Sequence, residues 1–285
     1  MKTAGHNQKD GLSVRFIELD GRRVRVAVRG GEGGRPPLLL CNGLGVSLEA
    51  LQPFVDALPP QAGVIRFDIP GVGNSDTPAL PYRMWMAARL MSRLLDVLQV
   101  PVVDVLGVSW GGALAQQFAF QYRRRCRKLI LVSTVPGVGI PGRPGVFGEL
   151  LTPRRFGDVV HARRVAPKIY GGKAASPSTT IPSFFEHMQN DLRGLLYQEL
   201  AVLGWTSVPF ARFIRQPTLI LMGDEDPIIP PINGKLLRAL LPKAELHIFH
   251  DGHLGLVTSA DEIAPLVENF LDGASDTQTP VGGTR

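Results

Sequence analysis

Residues 107–112 read Gly107-Val108-Ser109-Trp110-Gly111-Gly112 and join a short apolar run, Val102–Leu106, to a segment with helical spacing, Ala113–Tyr122. This context places the hydroxyl of Ser109 on a sharp bend between a buried strand and a helix. Such a bend needs residues without a Cβ on either side, and the helix N-terminus beyond it offers unpaired N–H groups to an oxyanion. The stretch therefore predicts a nucleophile elbow, with Ser109 as the nucleophile rather than as a simple helix cap.

A second Gly-x-Ser occurs at Gly73-Asn74-Ser75. It is followed by Asp76-Thr77-Pro78, where a helix would have to begin. Proline and the short polar residues favour a turn at this point, so we interpret Ser75 as a turn residue.

Apolar runs and helical segments alternate along most of the chain. The predicted buried strands are Leu38–Cys41, Val64–Asp68, Val102–Leu106, Leu129–Val132, Thr218–Met222 and Glu245–Phe249. The predicted helices are Leu48–Leu58, Tyr82–Leu98, Ala113–Tyr122, Pro231–Leu241 and Glu262–Leu271. This order predicts an α/β fold with a mostly parallel, doubly wound sheet. Residues 12–29 alternate around Asp20-Gly21, which predicts an antiparallel hairpin at one edge.

The alternation stops in residues 137–212, which begin with several glycines and prolines and continue with segments compatible with helices. We expect these residues to form an inserted, mainly helical cap. The core is then predicted to comprise residues 12–136 and 213–272. The polar ends, residues 1–11 and 273–285, are expected to be flexible tails.

The composition is that of one globular core: 285 residues, 44% of them hydrophobic and 20% charged. The two cysteines, Cys41 and Cys126, are too few for a disulfide framework. No apolar leader segment or membrane-length apolar run is present, so neither standard secretion nor a membrane span is expected. The net charge is +6, with a basic cluster at 123–128. We interpret that cluster as cations at a helix end, and expect no nucleic-acid partner.

A serine nucleophile needs a base and a group that orients the base. Among six histidines, His253 follows a predicted strand in a loop that could reach Ser109, and His250 is its competitor. The acid is expected in the loop Gly223-Asp224-Glu225-Asp226-Pro227. Asp226 is preferred because Pro227 fixes the turn after it, with Asp224 and Glu225 as alternatives.

Two backbone N–H groups are expected to stabilise the developing oxyanion. One belongs to Trp110, the residue after the nucleophile. The other comes from the loop Asn42-Gly43-Leu44-Gly45, where Leu44 is the predicted donor.

With these motifs the chain resembles the α/β-hydrolases and, among them, the intracellular medium-chain-length polyhydroxyalkanoate depolymerases. The resemblance runs through the elbow and through the following strings: Cys41-Asn42-Gly43-Leu44-Gly45, Phe67-Asp68-Ile69-Pro70-Gly71-Val72-Gly73, Gly223-Asp224-Glu225-Asp226-Pro227 and Asp251-Gly252-His253. Two strings in the predicted cap also carry it: Ala166-Pro167-Lys168-Ile169-Tyr170-Gly171-Gly172 and Leu203-Gly204-Trp205-Thr206-Ser207. A related family of polymer synthases has a cysteine at the elbow, so the serine indicates ester cleavage.

The resemblance implies hydrolysis of stored polyester to 3-hydroxy fatty acids or oligomers, in the cytoplasm and in association with polyester granules. No metal or organic cofactor is required, and no metal-ligand cluster is visible in the sequence. Six apolar residues of the predicted cap are candidates for an acyl-chain site, although helix-spaced apolar residues more often pack against a core. They are Phe184, Phe185, Leu195, Leu196, Trp205 and Phe210.

Two other functions remain open from the sequence. A general carboxylesterase would act on small soluble esters. A granule-coat or ligand-binding protein would keep the scaffold without turnover, but it would not need a serine, an acid and a histidine together.

Overall fold

A computed structural model describes residues 12–273, apart from residues 33, 151, 153, 155–157 and 177–190. Its single sheet has the strand order β1-β2-β4-β3-β5-β6-β7-β8. The strands are β1 (Leu12–Leu19), β2 (Arg22–Arg29), β3 (Leu38–Cys41), β4 (Val64–Phe67), β5 (Val103–Val108), β6 (Cys126–Val132), β7 (Thr218–Gly223) and β8 (Ala244–Phe249).

The described helices are α1 (Gln52–Ala57), α2 (Met84–Val97), α3 (Trp110–Gln121), α4 (Val146–Leu150), α5 (Val159–Tyr170), α6 (Leu192–Val202), α7 (Ile232–Leu240), α8 (Gly255–Thr258) and α9 (Ala260–Asp272). Short 3₁₀ turns occur at Leu48–Leu51, Gly172–Ala175 and Ala211–Phe213. None of these helices has both the length and the apolar character needed to cross a bilayer.

The sheet is antiparallel at one edge and parallel from β4 to β8. The hairpin of β1 and β2 turns at Asp20 and Gly21, which both have positive φ, as the favoured two-residue hairpin turn requires. This topology confirms the predicted fold class.

Both faces of the sheet are buried at its central strands, such as β3 and β7, and successive residues of β3 belong to different apolar clusters. In β3, Leu39 packs with Met91 of α2 and Phe118 of α3 in one cluster. Its neighbour Leu40 joins Phe54 of α1 in the other cluster. Burial on both faces explains why a central parallel strand such as β3 appears in the sequence as an uninterrupted apolar run.

The prediction that the basic cluster lies at a helix end holds for its first residue, because Arg123 Nε donates to the carbonyl oxygen of Phe120, in the last turn of α3, at 3.2 Å. Helix α3 ends at Gln121, and the rest of the cluster continues into β6, which begins at Cys126 instead of Leu129. Arg127 makes two hydrogen bonds to the fully buried Asp104 of β5, at 2.9 and 2.5 Å. Lys128 Nζ donates to the carbonyl oxygen of Phe270 at 2.6 Å, near the end of α9. These cations therefore stabilise the sheet and the end of a different helix.

Between β6 and β7 the described residues form helices and 3₁₀ turns and contain no strand. Helix α6 packs closely on the core. At Gly194 its backbone lies so near Gly71, in the loop after β4, that a Cβ on Gly194 would overlap the Gly71 backbone. The extent of the cap as a separate insertion, residues 137–212, stays a prediction.

Candidate active site

Ser109 occupies the single residue between β5 and α3 and has φ 54° and ψ −118°. Few L-residues adopt this conformation, which costs on the order of 1–3 kcal/mol and persists where surrounding contacts hold it. Here the Ser109 N–H donates to the carbonyl oxygen of Val132 at 2.9 Å. The Thr134 hydroxyl donates to the Ser109 carbonyl oxygen at 2.7 Å. The bend is therefore anchored to residues at the end of β6.

The glycines around Ser109 are required by packing. A Cβ on Gly111 would overlap the carbonyl oxygen of Cys41 in β3, and a Cβ on Gly107 would overlap the carbonyl oxygen of Gly111. The Gly-x-Ser-x-Gly pattern thus allows the start of α3 to lie against β3. Both β5 and α3 extend further toward Ser109 than the sequence predicts, so the turn is a single residue.

Asp226 and His253 lie in the loops after β7 and β8 and contact each other. His253 Nδ1 lies 2.7 Å from Asp226 Oδ2, and both residues are buried. The other carboxylate oxygen of Asp226 accepts hydrogen bonds from the N–H groups of Ile228 and Ile229, at 2.8 and 2.9 Å. These bonds fix the carboxylate, which in turn orients the imidazole.

Ser109 and His253 line the same cavity, which has a volume of about 730 Å³. The cavity lies at the carboxyl ends of the parallel strands, where side chains from distant parts of the chain can meet. The backbone N–H of His253 donates to the carbonyl oxygen of Tyr170 at 2.7 Å, and this bond connects the loop that carries His253 to the end of α5. The structure therefore brings all three predicted residues to one region, and their catalytic roles remain a proposal.

The alternative pair, His250 and Asp224, is a separate ion pair on the surface. His250 Nδ1 lies 2.9 Å from Asp224 Oδ2, and the His250 side chain is 80% exposed. The hydrogen bond that the imidazole donates to the Asp224 carboxylate raises the pKa of His250. A histidine in solvent does not meet the requirement for a base within reach of the Ser109 hydroxyl, which lines the cavity.

The two predicted oxyanion donors, Leu44 and Trp110, also line the cavity. Trp110 is the first residue of α3, and an N–H group in the first turn has no acceptor within its own helix. A Cβ placed on Gly43 would lie 3.7 Å from the Cβ of Ser109, so the Leu44 loop passes beside the elbow. Asn42 Nδ2 donates to the carbonyl oxygen of Ser47 at 2.6 Å and holds this loop together.

Comparison with known proteins agrees with this geometry. Residues 36–260 match the family profile for the alpha/beta hydrolase fold. The chain belongs to the α/β-hydrolase family. This confirms the family indicated by the elbow and the strand order.

Two relatives illustrate the range of this family. The α/β-hydrolase is 47% identical over 259 residues to a poly(3-hydroxyalkanoate) depolymerase of Ectopseudomonas oleovorans, covering 90% of this chain and 92% of that protein. It is 25% identical over 243 residues to 3-oxoadipate enol-lactonase 2 of Acinetobacter baylyi, covering 85% of this chain and 90% of that protein. The first relative confirms the resemblance seen in the motifs.

Solved structures share the fold. The crystal structure of an enol-lactonase from Burkholderia xenovorans LB400 superimposes with a TM-score of 0.79 at 23% identity, over 90% of this chain and 100% of that one. A hydrolase from Pseudomonas aeruginosa PA01 gives a TM-score of 0.76 at 24% identity, over 92% of this chain and 98% of that one.

Of the six predicted acyl-site residues of the hydrolase, one lines the cavity and the others do not or are not described. Leu196 lines the cavity, whereas Phe184 and Phe185 lie outside the described residues. Three others are not among the residues that line this cavity and pack against other parts of the protein, so their part in an acyl site stays a prediction. Leu195 is buried in the core, Trp205 donates its indole N–H to Gln117 at 2.8 Å, and Phe210 stacks on Phe120 at 4.3 Å between ring centroids.

Two further residues of the site have no sequence motif. Thr134 donates a hydrogen bond to the Ser109 carbonyl oxygen. Gln198 of α6 accepts hydrogen bonds from Gly45, which follows the predicted donor Leu44, and from the indole of Trp110. Each acts through contacts with a distant part of the chain, so no local pattern marks it. Within the described ranges, no three His, Cys, Asp or Glu side chains are grouped as metal ligands would be.

We expect Asp68 to make the stability of the hydrolase depend on pH. It is fully buried after β4, where its carboxylate accepts the N–H groups of Leu48 and Asn74 at 2.7 and 3.1 Å. Burial raises the pKa of Asp68 to about 6. Because this lies above the unfolded value of about 3.9, the free energy of unfolding should fall as pH rises from about 4 to above 6.

Urea unfolding at about pH 4.5 and about pH 7.5 tests this expectation, with Asp68→Asn as the non-titrating control. Wild type should lose on the order of 2 kcal/mol relative to the variant between the two pH values. A relative gain by wild type at the higher pH would show that the carboxylate is the preferred form in the folded protein.

Proposed function

We propose that this α/β-hydrolase cleaves the ester bonds of poly(3-hydroxyalkanoates) and releases 3-hydroxy acids or short oligomers. The observation that carries the proposal is the 47% identity, over nine-tenths of both chains, to a poly(3-hydroxyalkanoate) depolymerase. The structure adds support, because Ser109, His253, Leu44 and Trp110 line one apolar cavity and Asp226 bonds to His253.

In the proposed mechanism, Ser109 Oγ attacks the ester carbonyl carbon while His253 Nε2 takes the hydroxyl proton. Asp226 holds the Nδ1 side of the imidazole, so that Nε2 is left as the base. The carbonyl oxygen becomes an oxyanion beside the N–H groups of Leu44 and Trp110. Collapse expels the alcohol end of the polymer, which takes the proton from His253. Water activated by His253 then releases the acid and regenerates Ser109.

The cavity lining favours an acyl chain with an apolar substituent. Most of its side chains are aliphatic, among them Val46, Val108, Leu200, Ile228, Leu254 and Leu256. Burial of each methylene group contributes roughly 0.8 kcal/mol, so a longer alkyl side chain should bind more tightly than a methyl group. We therefore assign polyesters with medium-length side chains as the preferred substrate.

We also place the substrate at the surface of polyester granules. Three cavity-lining residues, Ile140, Leu196 and Leu203, are 54%, 49% and 68% exposed. Apolar side chains that are both exposed and continuous with the cavity suit contact with a hydrophobic solid.

The deciding experiment compares hydrolysis of poly(3-hydroxyoctanoate) particles, poly(3-hydroxybutyrate) particles and a soluble p-nitrophenyl ester by mass spectrometry of the products. We expect 3-hydroxyoctanoate and its oligomers to form fastest. Turnover of the soluble ester without release from either polymer would identify a general carboxylesterase instead. Folded protein that shows no turnover and no labelling by a fluorophosphonate would be a binding protein on a hydrolase scaffold.

A further inference from the structure

Gln198 is a buried polar residue of α6 that bonds to both segments expected to supply the oxyanion donors. Its side-chain Oε1 accepts the Gly45 N–H at 2.8 Å. Its backbone carbonyl oxygen accepts the indole Nε1–H of Trp110 at 2.8 Å. Only 1% of Gln198 is exposed to solvent. One residue outside the predicted core thus contacts the Leu44 loop and the first residue of α3.

These two bonds restrict the segments on which the oxyanion donors lie. The Gly45 N–H belongs to the peptide unit that follows Leu44, in a turn where Gly45 has φ 64°. Fixing that unit restricts rotation within the turn and so limits the directions open to the neighbouring Leu44 N–H. The indole bond restrains Trp110 at the start of α3. Preorganised donors of this kind lower the barrier because they need no rearrangement as the charge develops.

Helix α6 is itself held close to the core. Gly194 precedes Gln198 by four residues, so the two lie on the same face of the helix. At Gly194 the helix backbone lies so near Gly71 that a Cβ would overlap the Gly71 carbonyl oxygen. The position of Gln198 is therefore set by a backbone contact that leaves no room for a side chain.

We propose that Gln198 is a positioning residue that couples helix α6 to the oxyanion site, and this inference rests on the proposed ester hydrolysis. A neutral amide suits the role. Its oxygen accepts the Gly45 N–H without placing a negative charge against the loop that carries the Leu44 N–H, as a glutamate carboxylate would.

The test uses Gln198→Met, which removes the amide acceptor at similar volume, and Gln198→Glu, which keeps an acceptor and adds an ionisable group. With a soluble p-nitrophenyl ester, we expect Q198M to lower kcat about 10- to 100-fold with KM changed by less than about twofold. The ratio of Q198E to wild-type kcat should rise as the pH is lowered and the carboxylate takes a proton. The corresponding ratio for Q198M should not depend on pH.

Tyr197→Phe is the matched control. Tyr197 is the adjacent residue of α6, and its hydroxyl donates to the Ala79 carbonyl oxygen at 3.3 Å, so Y197F also removes one bond from this helix to the core. We expect wild-type kcat from Y197F. Hydrogen exchange of residues 42–46, followed by mass spectrometry, should be faster in Q198M than in wild type or Y197F.

The outcomes distinguish failure of the proposed ester hydrolysis from failure of the positioning role of Gln198. Wild-type protein without ester turnover would reject the proposed function, and the role of Gln198 would fall with it. Turnover by wild type together with unchanged kcat and unchanged exchange in Q198M would reject the role of Gln198 alone. An equal loss of kcat in Q198M and Y197F would show that helix docking matters and the amide does not. If Q198M does not fold, the pH profile of Q198E decides, and a ratio independent of pH would overturn the inference.

Discussion

Replacing Ser109 with alanine is expected to lower ester turnover by roughly 10⁴- to 10⁶-fold, because removal of a nucleophile leaves only binding and oxyanion stabilisation. The fold should persist. Alanine lacks only the hydroxyl, while the bonds that anchor the bend use the backbone N–H and carbonyl oxygen of residue 109. Initial rates on a p-nitrophenyl ester and the thermal midpoint of unfolding measure the two effects separately.

Ser133→Ala provides a matched control for this prediction. Ser133 follows the neighbouring strand β6, is fully buried and also has a positive φ, of 46°. S133A should retain wild-type turnover and fluorophosphonate labelling, whereas S109A should lose both. Retained turnover in S109A would reject the nucleophile assignment.

Replacing Asp226 with asparagine is expected to reduce kcat by on the order of 10⁴-fold while the backbone geometry is kept. The asparagine oxygen can still accept the N–H groups of Ile228 and Ile229, but its NH₂ group then faces His253 Nδ1. An NH₂ donor at Nδ1 forces the imidazole proton to Nε2, and the histidine cannot then accept the proton of Ser109. Steady-state kinetics on the soluble ester measure the loss.

The same substitution at Asp224 is the control. Asp224 lies two residues away and also bonds a histidine, but that histidine, His250, is on the surface. D224N should therefore retain kcat within about twofold of wild type, as expected for removal of an exposed ion pair. If D224N and D226N lost activity equally, activity would depend on the loop as a whole. Asp226 would then not be the specific residue that orients His253.

The fold could be predicted from sequence because its signals are local. Burial on both faces makes the central strands β3 and β7 nearly continuous apolar runs, and Asp20-Gly21 indicates the hairpin turn. The elbow was recognisable for the same reason, since the glycines it needs lie within two residues of Ser109. The boundaries were less accurate. Strand β6 begins at Cys126 and includes the charged residues Arg127 and Lys128. Arg127 pairs with Asp104 and Lys128 bonds to the end of α9, and no sequence periodicity indicates these partners.

The acyl-site prediction was weak because an apolar residue in a helix has the same sequence pattern whether it faces a cavity or the core. Leu195 and Leu196 are adjacent in the chain, yet Leu195 is buried in the core and Leu196 lines the cavity. Only the orientation of α6 distinguishes them, and that orientation depends on contacts such as the one between Gly71 and Gly194.

The sequence by itself determined the family, the parallel sheet, the elbow at Ser109 and a short set of acid and histidine candidates, because each depends on residues close together in the chain. The tertiary structure decided which candidates pair, placing Asp226 against His253 in the interior and Asp224 against His250 in solvent. It also placed Gln198 between two segments more than 80 residues away in the chain. Such pairings depend on how strands, loops and helices pack, and a linear pattern carries no information about distances across that packing.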